Sequence, residues 1–180
     1  MEHQSAESLF ERGRVAYVEG HRQDACELFR NALKACGPED GQPLRAAIHV
    51  ETGRVARDLG DNESASSHYR TAAEFYRGFN DLMNLAHALR HAADISRQMD
   101  RFSEAEPCIL EAIEIYRAQR PLPQLHLANA LRVAALLLEQ AGKPAEALPL
   151  WLEARDNYRA VGVEAGMAES RAHMATAGRG

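Results

Sequence analysis

The sequence predicts an all-α protein built from stacked helix-turn-helix repeats. Two observations carry this. The first is a recurring alanine pair. Ala105 and Ala112 stand seven residues apart and Tyr116-Arg117 follows. Ala65, Ala72 and Tyr76-Arg77 have the same layout forty residues earlier, and Ala147, Ala154 and Tyr158-Arg159 have it forty-two residues later. Ala25 and Ala32 begin a fourth copy, with Cys36 in the place of the tyrosine. A large residue follows each first alanine (Phe29, Tyr69, Ile109, Trp151), and a helix-ending residue precedes it (Gly20, Gly60, Asp100, Gly142). The second observation is that LAHALRHAA from Leu85 matches LANALRVAA from Leu127 and, more loosely, MAESRAHMA from Met167. A period of roughly 20–50 residues marks supersecondary units that each bury their apolar face only by stacking on a neighbour.

The elements follow in order. Ser5 suits an N-cap for a first helix through Glu19, with Glu7 in the first turn, and Gly20 ends it. A second helix runs from Arg22 to Cys36, with Ala25, Phe29, Ala32 and Leu33 at inward spacing. GPEDG, from Gly37 to Gly41, reads as a loop. Gln42–Leu59 and Asn62–Arg77 form the next pair around Gly60-Asp61. Asp81 caps a helix to Met99, and Ser103 caps one through Ala118. The two prolines of RPLPQ break the chain and account for the two extra residues of the last period. Gln124–Ala141 and Pro144–Ala160 complete the fourth pair, with Pro144 fitting a first helical turn. Residues 163–176 form a terminal capping helix, because an open stack needs a polar outer face at its end. The expected organisation is one domain over residues 1–180, with repeats at 5–37, 42–78, 81–118 and 123–160. No linker interrupts it.

Composition narrows the function classes. Frequent alanine and few β-branched residues favour helix over sheet. The net charge of -5 argues against non-specific nucleic-acid binding by the whole molecule. The three cysteines (Cys26, Cys36, Cys108) include no C-x-x-C pair, and the N-terminal residues lack a signal-peptide pattern, so a reducing, cytoplasmic setting is expected. No apolar run approaches the length of a membrane span, so no membrane partner is expected. Of the 21 basic residues, only Lys34 and Lys143 are lysine. Base composition of the genome explains that bias, as does selection for the planar donor fork of arginine. No hydrolase, zincin, phosphate-loop or dinucleotide motif occurs, and neither an enzymatic activity nor a cofactor is expected.

The small residues Gly13, Gly53, Ala93 and Ala135, together with the alanine pairs, the large residues and the glycine joints, resemble the tetratricopeptide repeat family over nearly the whole chain. The period is longer than the family's usual 34 residues, and is similar to the longer-helix variety of kinesin light chains and bacterial regulatory proteins. The tryptophan common early in the family's first helix is replaced by Leu9, His49, Leu89 and Leu131. The resemblance implies a right-handed superhelical solenoid whose first helices line a concave groove that binds peptides or protein partners.

On that resemblance, four stripes line the groove. They are Glu7, Phe10, Arg14, Tyr17; Ala47, Val50, Arg54, Arg57; His87, Arg90, Asp94, Arg97; and Asn129, Arg132, Leu136, Glu139. Six arginines against three acids suit an acidic or carboxylate-bearing segment. The competing reading is a solvated face laced by internal salt bridges, such as Asp94 with Arg90 or Arg97. His87, His91 and Asp94 have spacing that can bind a metal, though they read better as solvated groove histidines. Tyr76, Tyr116 and Tyr158 read as packing residues with hydroxyls at the rim. The expected function is a protein-interaction scaffold, monomeric or weakly self-associating. A peptide- or ligand-sensing regulatory module and a self-assembling structural unit are the alternatives.

Overall fold

The structure, a computed structural model, describes residues 5–37 and 41–177. Among the described residues there are nine helices and no strand. They are α1 (Ala6–Val18), α2 (Arg22–Ala35), α3 (Gly41–Asp58), α4 (Asn62–Gly78), α5 (Leu82–Gln98), α6 (Phe102–Ala118), α7 (Gln124–Gln140), α8 (Pro144–Ala160) and α9 (Glu164–Ala177). The all-α class is therefore correct, and each expected helix is present within about two residues of its predicted ends. Two local expectations change. Gly41 opens α3 instead of closing a loop, while residues 38–40 of GPEDG lie outside the described residues. The N-cap of α6 is Arg101, which makes no side-chain capping bond, and Ser103 sits inside the helix. The chain reaches Arg101 from Asp100 in the left-handed region, so the joint, not the serine, starts α6.

That joint is the most regular device in the chain. Gly20, Gly60, Gly142 and Gly162 have φ between 71° and 86°, and Asn80 and Asp100 stand at 61° and 57°. After each, a backbone N–H returns to a carbonyl five residues back: His21 to Ala16 (2.8 Å), Asp61 to Ala56 (2.9 Å), Asp81 to Tyr76 (2.9 Å), Arg101 to Ser96 (2.9 Å), Lys143 to Leu138 (2.8 Å) and Val163 to Tyr158 (3.0 Å). This is the Schellman closure of a helix end, which glycine enters without a Cβ penalty and Asn or Asp at small cost. Side chains then start the next helix at Asp61 and Asp81, whose carboxylates accept from the backbone N–H of Ser64 (3.0 Å) and Asn84 (3.2 Å). Ser5 caps α1 in the same way through Ser8.

The helices group into two compact units, Met1–Ile95 and Ser96–Gly180. In the first, α1 pairs with α2 and α3 with α4, and α2 also packs on α3. The close approach is made at glycine. A Cβ at Gly13 would lie 2.5 Å from the ring of Phe29, and one at Gly53 would lie 3.1 Å from the ring of Tyr69. Both rings are at most 1% exposed. In the second unit, α7 pairs with α8 and α8 with α9, and α6 packs on α7. Trp151 on α8 is fully buried. Its indole N–H donates to Glu139 of α7 (2.8 Å), and His173 of α9 stacks on its ring at 4.3 Å. The other oxygen of Glu139 contacts His173 Nδ1 at 2.8 Å. Gly166 lets α9 approach, because a Cβ there would meet the Tyr158 ring at 2.6 Å.

Two outcomes follow. Gly13→Ala gains helix propensity of about 0.5–1 kcal/mol but overpacks Phe29 by about 1–3 kcal/mol, so it should lower the melting temperature. Gly53→Ala, with 0.6 Å more room by the same distances, should be nearly neutral. Equal effects in thermal melts would contradict this ranking. Deleting 163–180 should uncover Trp151 and cause association, read as a red shift of the single tryptophan's emission and a rise in light scattering. An unshifted emission from a monodisperse truncation would show that α9 is not a cap.

Candidate functional site

In the first unit the predicted residues come from α1, α3 and α5. Arg14, Tyr17 and Arg54 line one recess of about 390 Å³ between α1 and α3, together with Val15, Val18 and Glu51. The Arg54 guanidinium lies over the Tyr17 ring, 5.8 Å from its centroid, and pairs with Glu51 at 3.1 Å. Tyr17 Oη donates to Asp58 Oδ2 at 2.7 Å. Arg57 donates to Asp58 Oδ1 through Nε (3.2 Å) and Nη2 (2.9 Å), and Arg22 lies 3.8 Å from the same carboxylate. Burial works to raise the Asp58 carboxyl, but the hydrogen bonds from Tyr17 and Arg57 outweigh it and hold the group below its usual range. Burial and then the Asp58 bond push the Tyr17 hydroxyl up. Arg14 pairs with Glu11 of its own helix at 3.2 Å.

On α5, Arg90 Nη2 meets His91 Nε2 at 2.7 Å. The His91 ring is stacked on Tyr69 at 4.8 Å, and His87 stands edge-on to it at 4.6 Å. Burial, reinforced by the positive charge of Arg90, pushes His91 down to about 2, and Arg57 and Arg54 add to the effect. His91 is therefore a neutral, packed imidazole and not a solvated groove histidine, because Tyr69 covers one face. A histidine pair links α3 to α4: His49 Nδ1 and His68 Nδ1 are 2.9 Å apart. Burial lowers both, His49 to about 4. Asp94 lies half-buried on the same stripe. Among the described residues no group of three or more His, Cys, Asp or Glu is arranged to hold a metal.

In the second unit, Arg97 donates to Gln140 at 2.9 Å. Asn129 accepts from the Tyr158 hydroxyl at 2.8 Å. Arg132 holds Glu169 with two bonds of 2.7 Å. The tyrosine hydroxyls expected at the rim are inside: Tyr116 and Tyr158 are 0% and 2% exposed. Sequence reasoning missed the His49–His68 pair, whose members stand nineteen residues apart on different helices. It also missed a cleft of about 300 Å³ between α2, α3 and α4, lined by Cys26, Arg30, Leu33, Ala56, Asp61 and His68. No periodic pattern marks either feature.

Helix pairs joined at left-handed residues, with small-against-large contacts at a forty-residue spacing, define a helical-repeat protein of the tetratricopeptide-like class. The chain belongs to the soluble NSF attachment protein family (SNAP), matched over residues 1–118. Aspartyl phosphate phosphatase F from Bacillus subtilis has a similar fold, with a TM-score of 0.77 and 17% identity. The match covers 92% of this chain, and the chain spans 43% of that protein's length. BtubC (BKLC) from P. vanneervenii is similar at a TM-score of 0.63 and 17% identity, over 97% of this chain and 81% of the other. No curated protein matches the sequence. Among the described residues no helix is long and apolar enough to cross a membrane.

The depressed histidines give a pH dependence. A group whose folded pKa lies below its unfolded value near 6.5 adds full stability above that pH and loses it as pH falls toward the folded value. Resistance to urea should therefore drop as pH falls below 6.5, with the share of His49 lost by about pH 4 and that of His91 still being lost toward about pH 2. His49→Gln should make the drop shallower between pH 6.5 and about 4, because glutamine takes up no proton there, while His68 and His91 keep their shares. An equally steep drop in His49→Gln would assign it to other groups.

Proposed function

We propose that this protein is an interaction scaffold that holds an acidic segment of a protein partner on the face carrying Arg14, Tyr17, Arg54, Arg57, His87, Arg90 and Asp94. The single observation that carries the reading is the company these residues keep. Three arginines, Arg54, Arg57 and Arg90, act electrostatically on one packed imidazole, and the carboxylates of Glu51 and Asp58 are the guests that two of them hold already. A face that seats its own carboxylates at 2.9–3.1 Å has the donor geometry to seat a partner's. The exposed apolar residues Val15 and Val18, 55% and 84% exposed, flank the recess and suit the apolar residues of a mixed segment. The family's name records an attachment role toward NSF, which supports a binding partner for this chain. We assign the second unit's Arg97, Asn129 and Arg132 the same role, and the long period to the kinesin light chain-like variety. Nucleic acid and membrane are not proposed as partners, and the scaffold acts as a monomer or weak oligomer without a cofactor.

The test is a charge reversal. Arg54→Glu combined with Arg90→Glu should abolish capture of the partner that the native protein retains from lysate. Helical content by circular dichroism should stay unchanged, since both side chains are half-exposed. Binding by the native protein should also weaken as salt rises. A folded double variant that retains the same partner at native affinity would move the interface to another surface.

A further inference from the structure

We propose that Arg90 is the anchor of this face, a guanidinium aimed by His91 to hold one carboxylate of the partner segment. The inference rests on the interaction reading above and names the residue that decides it.

The other arginines of the face in the first unit are already answered: Arg14 by Glu11, Arg54 by Glu51 and Arg57 by Asp58. In the second unit Arg132, forty-two residues on and at the same register, grips Glu169 with two bonds of 2.7 Å. Arg90 differs. Among the described residues it has no carboxylate partner, and its Nε is buried and meets no acceptor. What it does have is His91 Nε2 at 2.7 Å. For that nitrogen to accept, the imidazole must be neutral and carry its proton on Nδ1. The ring cannot turn away, because Tyr69 stacks on its face and His87 abuts its edge. His91 thus fixes the direction of the guanidinium without offsetting its charge.

A half-buried cation with a fixed heading and no counter-ion among the described residues is a configuration that folding alone disfavours, and an unsatisfied buried donor calls for an explanation. A ligand oxyanion supplies one. Arg54 and Arg57 lie within electrostatic range of the same imidazole, so their fields add at this point. The Arg132–Glu169 clasp shows that the same register position of this chain seats a glutamate carboxylate. His91 is a positioning residue, since it acts through Arg90.

The test titrates two probes, acetylated and amidated hexaglutamate and inorganic phosphate, by calorimetry at low salt. The native protein should bind hexaglutamate. Arg90→Gln should weaken binding by at least about tenfold, the loss of one charge-assisted bond, whereas Arg54→Gln should change it by less than about threefold. His91→Phe retains an aromatic stack but not the acceptor, and should weaken binding like Arg90→Gln at an unchanged melting temperature. His91→Gln, whose carbonyl can accept, should restore it, which a purely structural role for His91 would not predict. Absence of hexaglutamate binding, or heat from phosphate alone, overturns the carboxylate anchor. If Arg54→Gln weakens binding and Arg90→Gln does not, the interaction face stands and the anchor is wrong. If neither does, both readings fall.

Discussion

Everything in this chain depends on how closely two helices of a pair can approach. Phe29 and Tyr69 are large, fully buried rings that come this close to the preceding helix because Gly13 and Gly53 have no side chain. Gly166 does the same for Tyr158 at the end of the chain. The glycines weaken their helices locally, and the buried rings more than offset that by removing large apolar areas from water. The close approach also sets the direction of the neighbouring residues. Arg54 follows Gly53 directly and Arg57 stands one helical turn on, so both arginines border the buried contact of α3 and are themselves half-buried.

Charge on this basic stripe is arranged unevenly. Asp58 gathers Tyr17, Arg22 and Arg57 around one carboxylate, and Glu51 holds Arg54. These contacts order the side chains while leaving little net charge between them. The competing description of the face, a solvated surface laced by internal salt bridges, therefore holds for part of it. Arg90 is where that description stops, because its nearest partner is a neutral imidazole. The second unit uses the same chemistry internally. Glu139 binds Trp151 and His173 together, and Glu169 closes on Arg132, so α9 is held by polar contacts as well as by the burial of Met167.

The fold was legible because its information is local and repeated. The joint glycines, the alanine pairs and the large residues four positions later recur at one spacing, and each acts through a contact within its own helix pair. The Asp81 cap was read from residue type, whereas Asp61 was read only as part of the joint and its capping bond to Ser64 came from the structure. Ser103 misled because a serine near a helix start resembles a cap, while the chain direction there is set by Asp100 in the left-handed region. The site was legible only as a stripe. Helical register, read with the family resemblance, put Arg54, Arg57 and Arg90 on stripes lining the groove. It carried no information on which arginine meets a carboxylate from its own helix, which meets one from another, and which meets none. Those pairings depend on rotamers and on the burial of Tyr69, His68 and His91, and sequence spacing encodes none of these.

The most direct measurement follows the Arg90 side chain itself. The guanidinium Nε–H resonance of Arg90, assigned by its disappearance in Arg90→Lys, should shift strongly when an acidic peptide is added. The resonances of Arg14 and Arg57 should move less, since their carboxylates already occupy them. Backbone amides of α3 and α5 should shift with it. If the Arg90 resonance stays fixed while amides of α2 and α4 move, the partner sits on the other side of the first unit and the account of the face is wrong.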